Sequence, residues 1–92
     1  MEYAVQCDVS PGLRPSERTV AVTTVQGRRE YLRLEANYLR HEGERAYLPV
    51  GFLYEHPESN SALIELPLEA DSGARRLFVP RSHLTARNGV TA

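Results

Sequence analysis

Apolar and polar residues alternate with a period of two over much of this chain. The clearest case is residues 3–9, where every odd position is apolar: Tyr3, Val5, Cys7 and Val9. Such alternation is typical of a strand with one buried and one solvent-exposed face. The pattern therefore predicts an N-terminal strand whose inward face includes the Cys7 thiol.

Similar patterns predict further strands in the rest of the chain. Loops rich in Pro, Gly, Ser and Asp separate strands predicted over 18–26, 45–54, 62–66 and 76–79. In the first of these, Val25 lies one step out of phase with the earlier valines, which indicates a bulge or a twist near 23–24. Because Pro49 cannot donate a backbone hydrogen bond, 45–54 is predicted to be an edge strand or two short strands meeting at a bend.

One segment, residues 28–43, fits two structures. Most of its residues are good helix formers and a glycine ends it, which would give an α+β fold with a helix over 29–42. On a helical wheel, however, two glutamates fall within the apolar arc, whereas a strand separates apolar from polar side chains. We favour a strand over 29–34 followed by a short helical turn that ends at Leu39, with the helix as the alternative.

Two segments that lie 45 residues apart resemble each other. The first contains Leu32, Leu34, Tyr38 and Leu39, which align with Leu77, Val79, His83 and Leu84 in the second. Either the match is a coincidence, or both segments form the same corner. In that corner a strand leads into a helical turn, and the following leucine closes one end of a barrel.

The second segment also resembles the closing stretch of small Src-homology-3-like barrels. In that stretch a strand reaches a proline, makes one helical turn and ends in an apolar plug, as Val79-Pro80 and Leu84 would do here. PRC-type barrels share this apolar-Pro-x-x-x-apolar step. The chain has no tryptophan and therefore lacks the ligand-binding signature of the peptide-binding members. The resemblance implies the fold alone.

These patterns together predict a mainly β fold. We expect a small single-domain barrel of five to seven short strands with one or two short helical turns. The domain is predicted to cover residues 1–84, and residues 85–92 are predicted to form a frayed tail because they contain few apolar side chains. A chain of 92 residues is long enough for one core and no more.

Composition bounds the environment of the protein. No apolar run approaches the roughly 20 residues of a membrane-spanning helix, so we expect no membrane contact. The N-terminal residues contain neither a basic leader nor an apolar stretch, and the single cysteine cannot form an internal disulfide. We therefore expect a cytoplasmic protein.

Candidate catalytic and metal-binding residues are few. The three histidines, His41, His56 and His83, lack the close spacing by which zinc ligands pair on one local element. Asp71 and Ser72 with a downstream histidine have the composition of a triad, but sequence neighbours cannot contact opposite nitrogens of one imidazole. We expect a non-enzyme that needs no metal and no cofactor.

Charge is distributed unevenly along the chain. The net charge is −1, yet residues 41–71 hold seven acidic residues and one arginine, whereas residues 72–92 hold four arginines and no acid. In one interpretation these charges neutralise each other across adjacent strands. In the other, the arginines form a binding face, with the acidic residues on the opposite side.

The second interpretation gives a candidate binding surface with two kinds of side chain. Its arginines are Arg28, Arg29, Arg33, Arg75, Arg76 and Arg81, and its aromatic residues are Tyr47, Phe52, Tyr54 and Phe78. Aromatic and arginine side chains dominate binding hot spots, so we predict a protein-interaction module that meets an acidic protein surface. The alternatives are a small RNA-binding barrel, in which arginines contact phosphates, and self-association through an edge strand.

Overall fold

The computed structural model describes residues 1–87 of the chain, which form one curled antiparallel sheet shaped as a half-barrel. Its strands are β1 (Glu2–Pro11), β2 (Glu17–Thr23), β3 (Arg29–Glu35), β4 (Arg40–Glu42), β5 (Arg45–His56), β6 (Ser61–Glu65), β7 (Arg76–Pro80) and β8 (Leu84–Arg87). Three 3-10 turns, Ala36–Tyr38, Pro57–Ser59 and Arg81–His83, are the helical elements of these residues. The predicted mainly β fold is confirmed, with more strands than the five to seven expected.

Two long strands make the sheet curl. The strand order is β3-β2-β1-β5-β6-β7, with β4 paired to β5 and β8 paired to β1. Along one edge, β1 pairs first with β8 and then with β2. Similarly, β5 pairs with β1 and β4 in its first half and with β6 in its second half. Each long strand thus belongs to two parts of the sheet, which wrap around one core.

No helix within residues 1–87 has the length and apolar character needed to cross a membrane.

The central position of β5 corrects the prediction of an edge strand or two short strands. Residues 45–56 form one continuous strand despite Pro49. Its pairing with β4 ends at Tyr47, and its pairing with β6 begins at Gly51. Pro49 lies between these points, where no other strand of residues 1–87 pairs with that edge of β5. The missing N–H of Pro49 therefore leaves no carbonyl acceptor unsatisfied on that edge.

The ambiguous segment forms the predicted strand and turn. In β3 the side chains of Glu30, Leu32 and Leu34 are buried, and their neighbours are more exposed. The strand continues to Glu35 and is followed by a single 3-10 turn. The strand interpretation is therefore confirmed, and the alternative of a helix over 29–42 is wrong.

The two similar segments form equivalent corners. Each strand enters a three-residue 3-10 turn, and the leucine after the turn donates its N–H to the first carbonyl of that turn. Leu39 and Leu84 are both buried in the core. Beyond the second corner, residues 85–87 pair with β1, although the tail was predicted to begin there. Residues 88–92, the rest of that tail, lie outside the described residues.

The connection between β2 and β3 is a tight turn. Pairing of the two strands is regular up to Thr23, so the predicted bulge near 23–24 is wrong. Val25 is out of phase because it belongs to the turn, which Gly27 completes with a φ of 87°. The irregularity of the sheet lies instead in β5, between Phe52 and Tyr54.

Burial of Cys7 confirms the predicted register of β1. The side chain packs in the core between β1 and its neighbours. Desolvation by burial, with a smaller contribution from the charge of Asp8, raises its pKa from 9.0 to about 12. The thiolate is the reactive form, so this thiol is a poor nucleophile.

We expect Cys7 to resist alkylation in the folded protein. At about pH 8 the native chain should react with iodoacetamide much more slowly than the chain in denaturant, where the thiol has its ordinary pKa. Because the unfolded chain releases the proton first, the contribution of Cys7 to stability should fall as pH rises through 9.0 toward 12. Mass spectrometry of the labelled protein measures the alkylation rates. Denaturation of the original protein and of Cys7→Ala, compared as the pH is raised, measures the contribution of Cys7 to stability. Equal labelling rates in the native and denatured chains would contradict the register.

Candidate functional site

A row of apolar side chains crosses the outer face of β5, β6 and β7. Tyr54, Leu63 and Phe78 are register partners on the three strands. Tyr54 is 51% exposed and Phe78 is 41% exposed. Val25 extends the row from the β2–β3 turn, since its N–H donates to the carbonyl of Phe78 at 2.8 Å. These four residues are called the apolar row below.

A cleft of about 390 Å³ lies beside the apolar row, between β7 and the β2–β3 turn. The β2–β3 connection contributes Thr24, Val25, Gln26 and Arg28 to its lining. The end of β5, the following 3-10 turn and the start of β6 contribute His56, Ser59 and Ser61. The remaining lining comes from Ala74, Arg76, Leu77 and Phe78. The cleft therefore combines an apolar wall with two arginines and several uncharged polar groups.

The β2–β3 turn fixes the backbone at one end of the cleft. Thr24 is buried, and its N–H donates to the carbonyl of Arg28 at 2.7 Å. The Arg28 N–H donates in return to the Thr24 hydroxyl at 3.1 Å, and Gly27 N–H donates to the Thr24 carbonyl at 2.9 Å. These hydrogen bonds hold the Arg28 backbone at the mouth of the cleft while its side chain stays exposed.

Hydroxyl groups and an imidazole from the end of β5 to the start of β6 also line the cleft. The Ser59 hydroxyl lies 3.0 Å from His56 Nδ1 and 2.7 Å from the Ser61 hydroxyl. Within residues 1–87 no carboxylate lies within ion-pair distance of the His56 ring. A serine–histidine pair without a group that orients the imidazole lacks the third member of a catalytic triad.

The cleft is more cationic than four other clefts formed by residues 1–87. Its lining contains two arginines and no carboxylate. Four other clefts among residues 1–87 each include at least one aspartate or glutamate. Arg76 Nε lies 3.9 Å from Glu65 Oε2, at the limit of an ion pair. An anion entering this cleft would therefore meet positive charge without competing negative charge in the lining.

Arg28 differs from the other arginines because its guanidinium has no partner within residues 1–87. Eight of the eleven arginines pair with carboxylates. Arg18 and Arg45 donate instead to backbone carbonyls and to the Gln6 amide. Only the guanidinium of Arg28 makes neither kind of contact with residues 1–87.

The remaining predicted arginines act mainly as counterions. Arg29 lies 3.0 Å from Asp8, Arg33 pairs with Asp71, Arg81 lies 3.6 Å from Glu55, and Arg75 and Arg76 each lie 3.9 Å from Glu65. The hydrogen bond from Arg33 to Asp71 raises the pKa of that guanidinium further. Acidic residues are thus interleaved with the arginines, so the prediction that they lie on the opposite side is wrong.

The predicted aromatic residues do not all share one surface. Tyr54 and Phe78 belong to the apolar row. Phe52 stacks instead on Tyr3 with ring centroids 4.6 Å apart, and Tyr47 lies between β1 and β4. Sequence reasoning missed Leu63, although the alternation over 62–66 already put it out of phase with the buried positions of that strand.

The residues of the rejected triad have separate partners. The Ser72 hydroxyl donates to Glu30 Oε1 at 2.6 Å, and Asp71 pairs with Arg33. Ser72 also accepts a hydrogen bond from the N–H of Ala74, as expected for a turn. Within residues 1–87, no three histidine, cysteine or acidic side chains converge as a metal site would require.

No protein-family model matches this chain, and no curated protein or solved structure shows significant similarity to it. The function of the cleft and the apolar row therefore has to be inferred from their own geometry and charge.

Proposed function

We propose that this chain is a non-catalytic binding module that docks a segment of another protein on the apolar row and in the adjoining cleft. One observation carries the proposal. The exposed apolar row lies beside a cleft that is lined by two arginines and no carboxylate, and one of these arginines, Arg28, has no partner within residues 1–87.

The chemistry of the two neighbouring surfaces supports a mixed ligand. Exposed aromatic side chains and arginines are the residue types that contribute most to protein interfaces. The apolar row would cover an apolar side chain of the partner, and the Arg28 end of the cleft would attract an acidic group beside it. The partner is therefore a protein segment with adjacent apolar and acidic groups.

The state of the candidate nucleophiles supports a non-catalytic role. Cys7 is buried and its pKa is raised, which disfavours the thiolate. Ser59 contacts His56, but no carboxylate orients the imidazole within residues 1–87. A single cysteine is also compatible with the reducing cytoplasm, where we place the protein.

Selection from a phage-displayed random peptide library tests this function. We expect enriched peptides to contain an aromatic or aliphatic residue next to Asp or Glu. Fluorescence anisotropy should show that Phe78→Ser and Arg28→Glu each weaken binding about 10-fold or more, equivalent to about 1.4 kcal/mol. Tyr31→Ser is the matched control because Tyr31 is also 41% exposed but lies on β3, outside the site. Arg14→Glu is the corresponding charge control.

Two outcomes would contradict the proposal. Peptides that bind Phe78→Ser as tightly as the original protein would place the docking surface elsewhere. Binding of a uridine homopolymer that weakens steeply with salt and depends on Arg28 would assign the surface to RNA, because phosphate contacts release counterions. If the surface binds RNA instead of protein, the peptide library should yield no enriched peptide.

A further inference from the structure

The ligand expected in the cleft must supply negative charge. Arg28 and Arg76 contribute two positive charges to the lining, which contains no acidic side chain among residues 1–87. Within residues 1–87, the one carboxylate at ion-pair distance from either guanidinium is that of Glu65, whose Oε2 lies 3.9 Å from Arg76 Nε. An ion pair of this length between exposed side chains contributes little free energy, so Arg76 can turn to an incoming anion at small cost.

The donors around the cleft exceed what one carboxylate can accept. Each guanidinium carries five N–H donors in a planar fork, and Gln26 adds an amide to the lining. Ser59 adds a hydroxyl, which contacts His56 Nδ1 at 3.0 Å and the Ser61 hydroxyl at 2.7 Å. A carboxylate offers two oxygens and one charge, whereas a phosphate monoester offers three oxygens and a charge of about −1.5 to −2.

We propose that this cleft binds a phosphoryl group, carried on a phosphorylated side chain of the partner segment. This inference rests on the proposed function and specifies the anion that the module recognises. Charge matching supports it, since a phosphate dianion can pair with Arg28 and Arg76 at once, whereas a carboxylate that neutralises Arg28 leaves Arg76 to its distant partner Glu65. The exposed ring of Phe78 at the edge of the cleft gives the organic part of the ligand an apolar wall.

Titration with small probes tests the phosphoryl group directly. Phenyl phosphate and benzoate are compared by NMR, with the guanidinium signals of Arg28 and Arg76 as reporters. We expect phenyl phosphate to bind about 10-fold or more tightly than benzoate and to shift both signals. Arg28→Ala should remove most of this preference, and Arg28→Lys should remove part of it because lysine lacks the planar fork. Arg29→Ala, which breaks the pair with Asp8 outside the cleft, should leave it unchanged.

The outcomes separate this inference from the proposed function. If benzoate binds as tightly as phenyl phosphate while selected peptides still require Arg28, the phosphoryl inference is wrong and the binding module stands. If neither probe nor peptide depends on Arg28, both proposals are wrong. A selected peptide resynthesised with phosphoserine or phosphotyrosine at its acidic position should bind more tightly than the original. Tighter binding of adenosine monophosphate than of this phosphopeptide would overturn the assignment to a protein partner.

Discussion

Leu84→Ala is expected to lower the free energy of unfolding by about 2–4 kcal/mol. Leu84 is 5% exposed and follows the 3-10 turn Arg81–His83, where the chain passes from β7 to β8. Its register partner on β1 is Val5, which is fully buried. Truncation would leave a cavity at the end of the core, because both neighbouring strands are held in place by backbone pairing.

The equivalent corner provides a matched comparison. Leu39→Ala should cost a similar amount, since Leu39 is buried to nearly the same degree after the turn Ala36–Tyr38. Leu68→Ala is the control, because Leu68 is 40% exposed and its truncation should cost less than about 1 kcal/mol. Urea denaturation monitored by circular dichroism measures all three. A Leu84→Ala variant as stable as Leu68→Ala would show that this leucine does not close the core.

Local patterns in the sequence were sufficient to predict most of the strands. Burial follows the period of two in β3 and, apart from the buried Ala4, in β1, so the spacing of Val5 and Cys7 and of Leu32 and Leu34 carried the necessary information. The 45-residue similarity located both corners because the same local geometry needs the same order of residues. These features depend on neighbours within a few positions along the chain.

Pairing between distant strands could not be predicted in this way. Pro49 indicated an edge strand, but its effect depends on where the pairing with β4 ends and the pairing with β6 begins. Residues 85–87 contain little apolar surface and are ordered by hydrogen bonding to β1, more than eighty residues earlier in the chain. Backbone pairing stabilises such a segment without leaving an apolar pattern in its sequence.

The sequence identified individual residues of the candidate site but did not show which of them lie together in the fold. Tyr54, Phe78 and Arg28 were all candidates, yet sequence alone could not separate Arg28 from the arginines that act as counterions. That distinction depends on register, since Arg33 pairs with Asp71 from a loop 38 residues away. That Arg28 has no partner within residues 1–87 is a property of the fold and has no signal at a single sequence position.

Ser72→Ala is expected to destabilise the protein by about 1–3 kcal/mol, although Ser72 is itself exposed. Its hydroxyl donates to Glu30 Oε1 at 2.6 Å, and Glu30 is 7% exposed on the inward face of β3. The N–H of Asp71 donates to the carbonyl of Tyr31 at 2.7 Å and keeps the loop over this site. Removing the hydroxyl would therefore leave a buried carboxylate without that donor while the loop still limits access of water.

A double-mutant cycle isolates this effect from the general cost of changing the loop. Glu30→Leu replaces the carboxylate with an apolar side chain of similar size, so the hydroxyl has no acceptor to satisfy. In that background Ser72→Ala should cost less than about 0.5 kcal/mol, and the difference between the two backgrounds measures the coupling. Ser82→Ala, at an exposed serine in the turn Arg81–His83, should change stability little in either background. Equal costs of Ser72→Ala with and without Glu30 would show that the serine stabilises the loop alone and that water, rather than Ser72, solvates the Glu30 carboxylate.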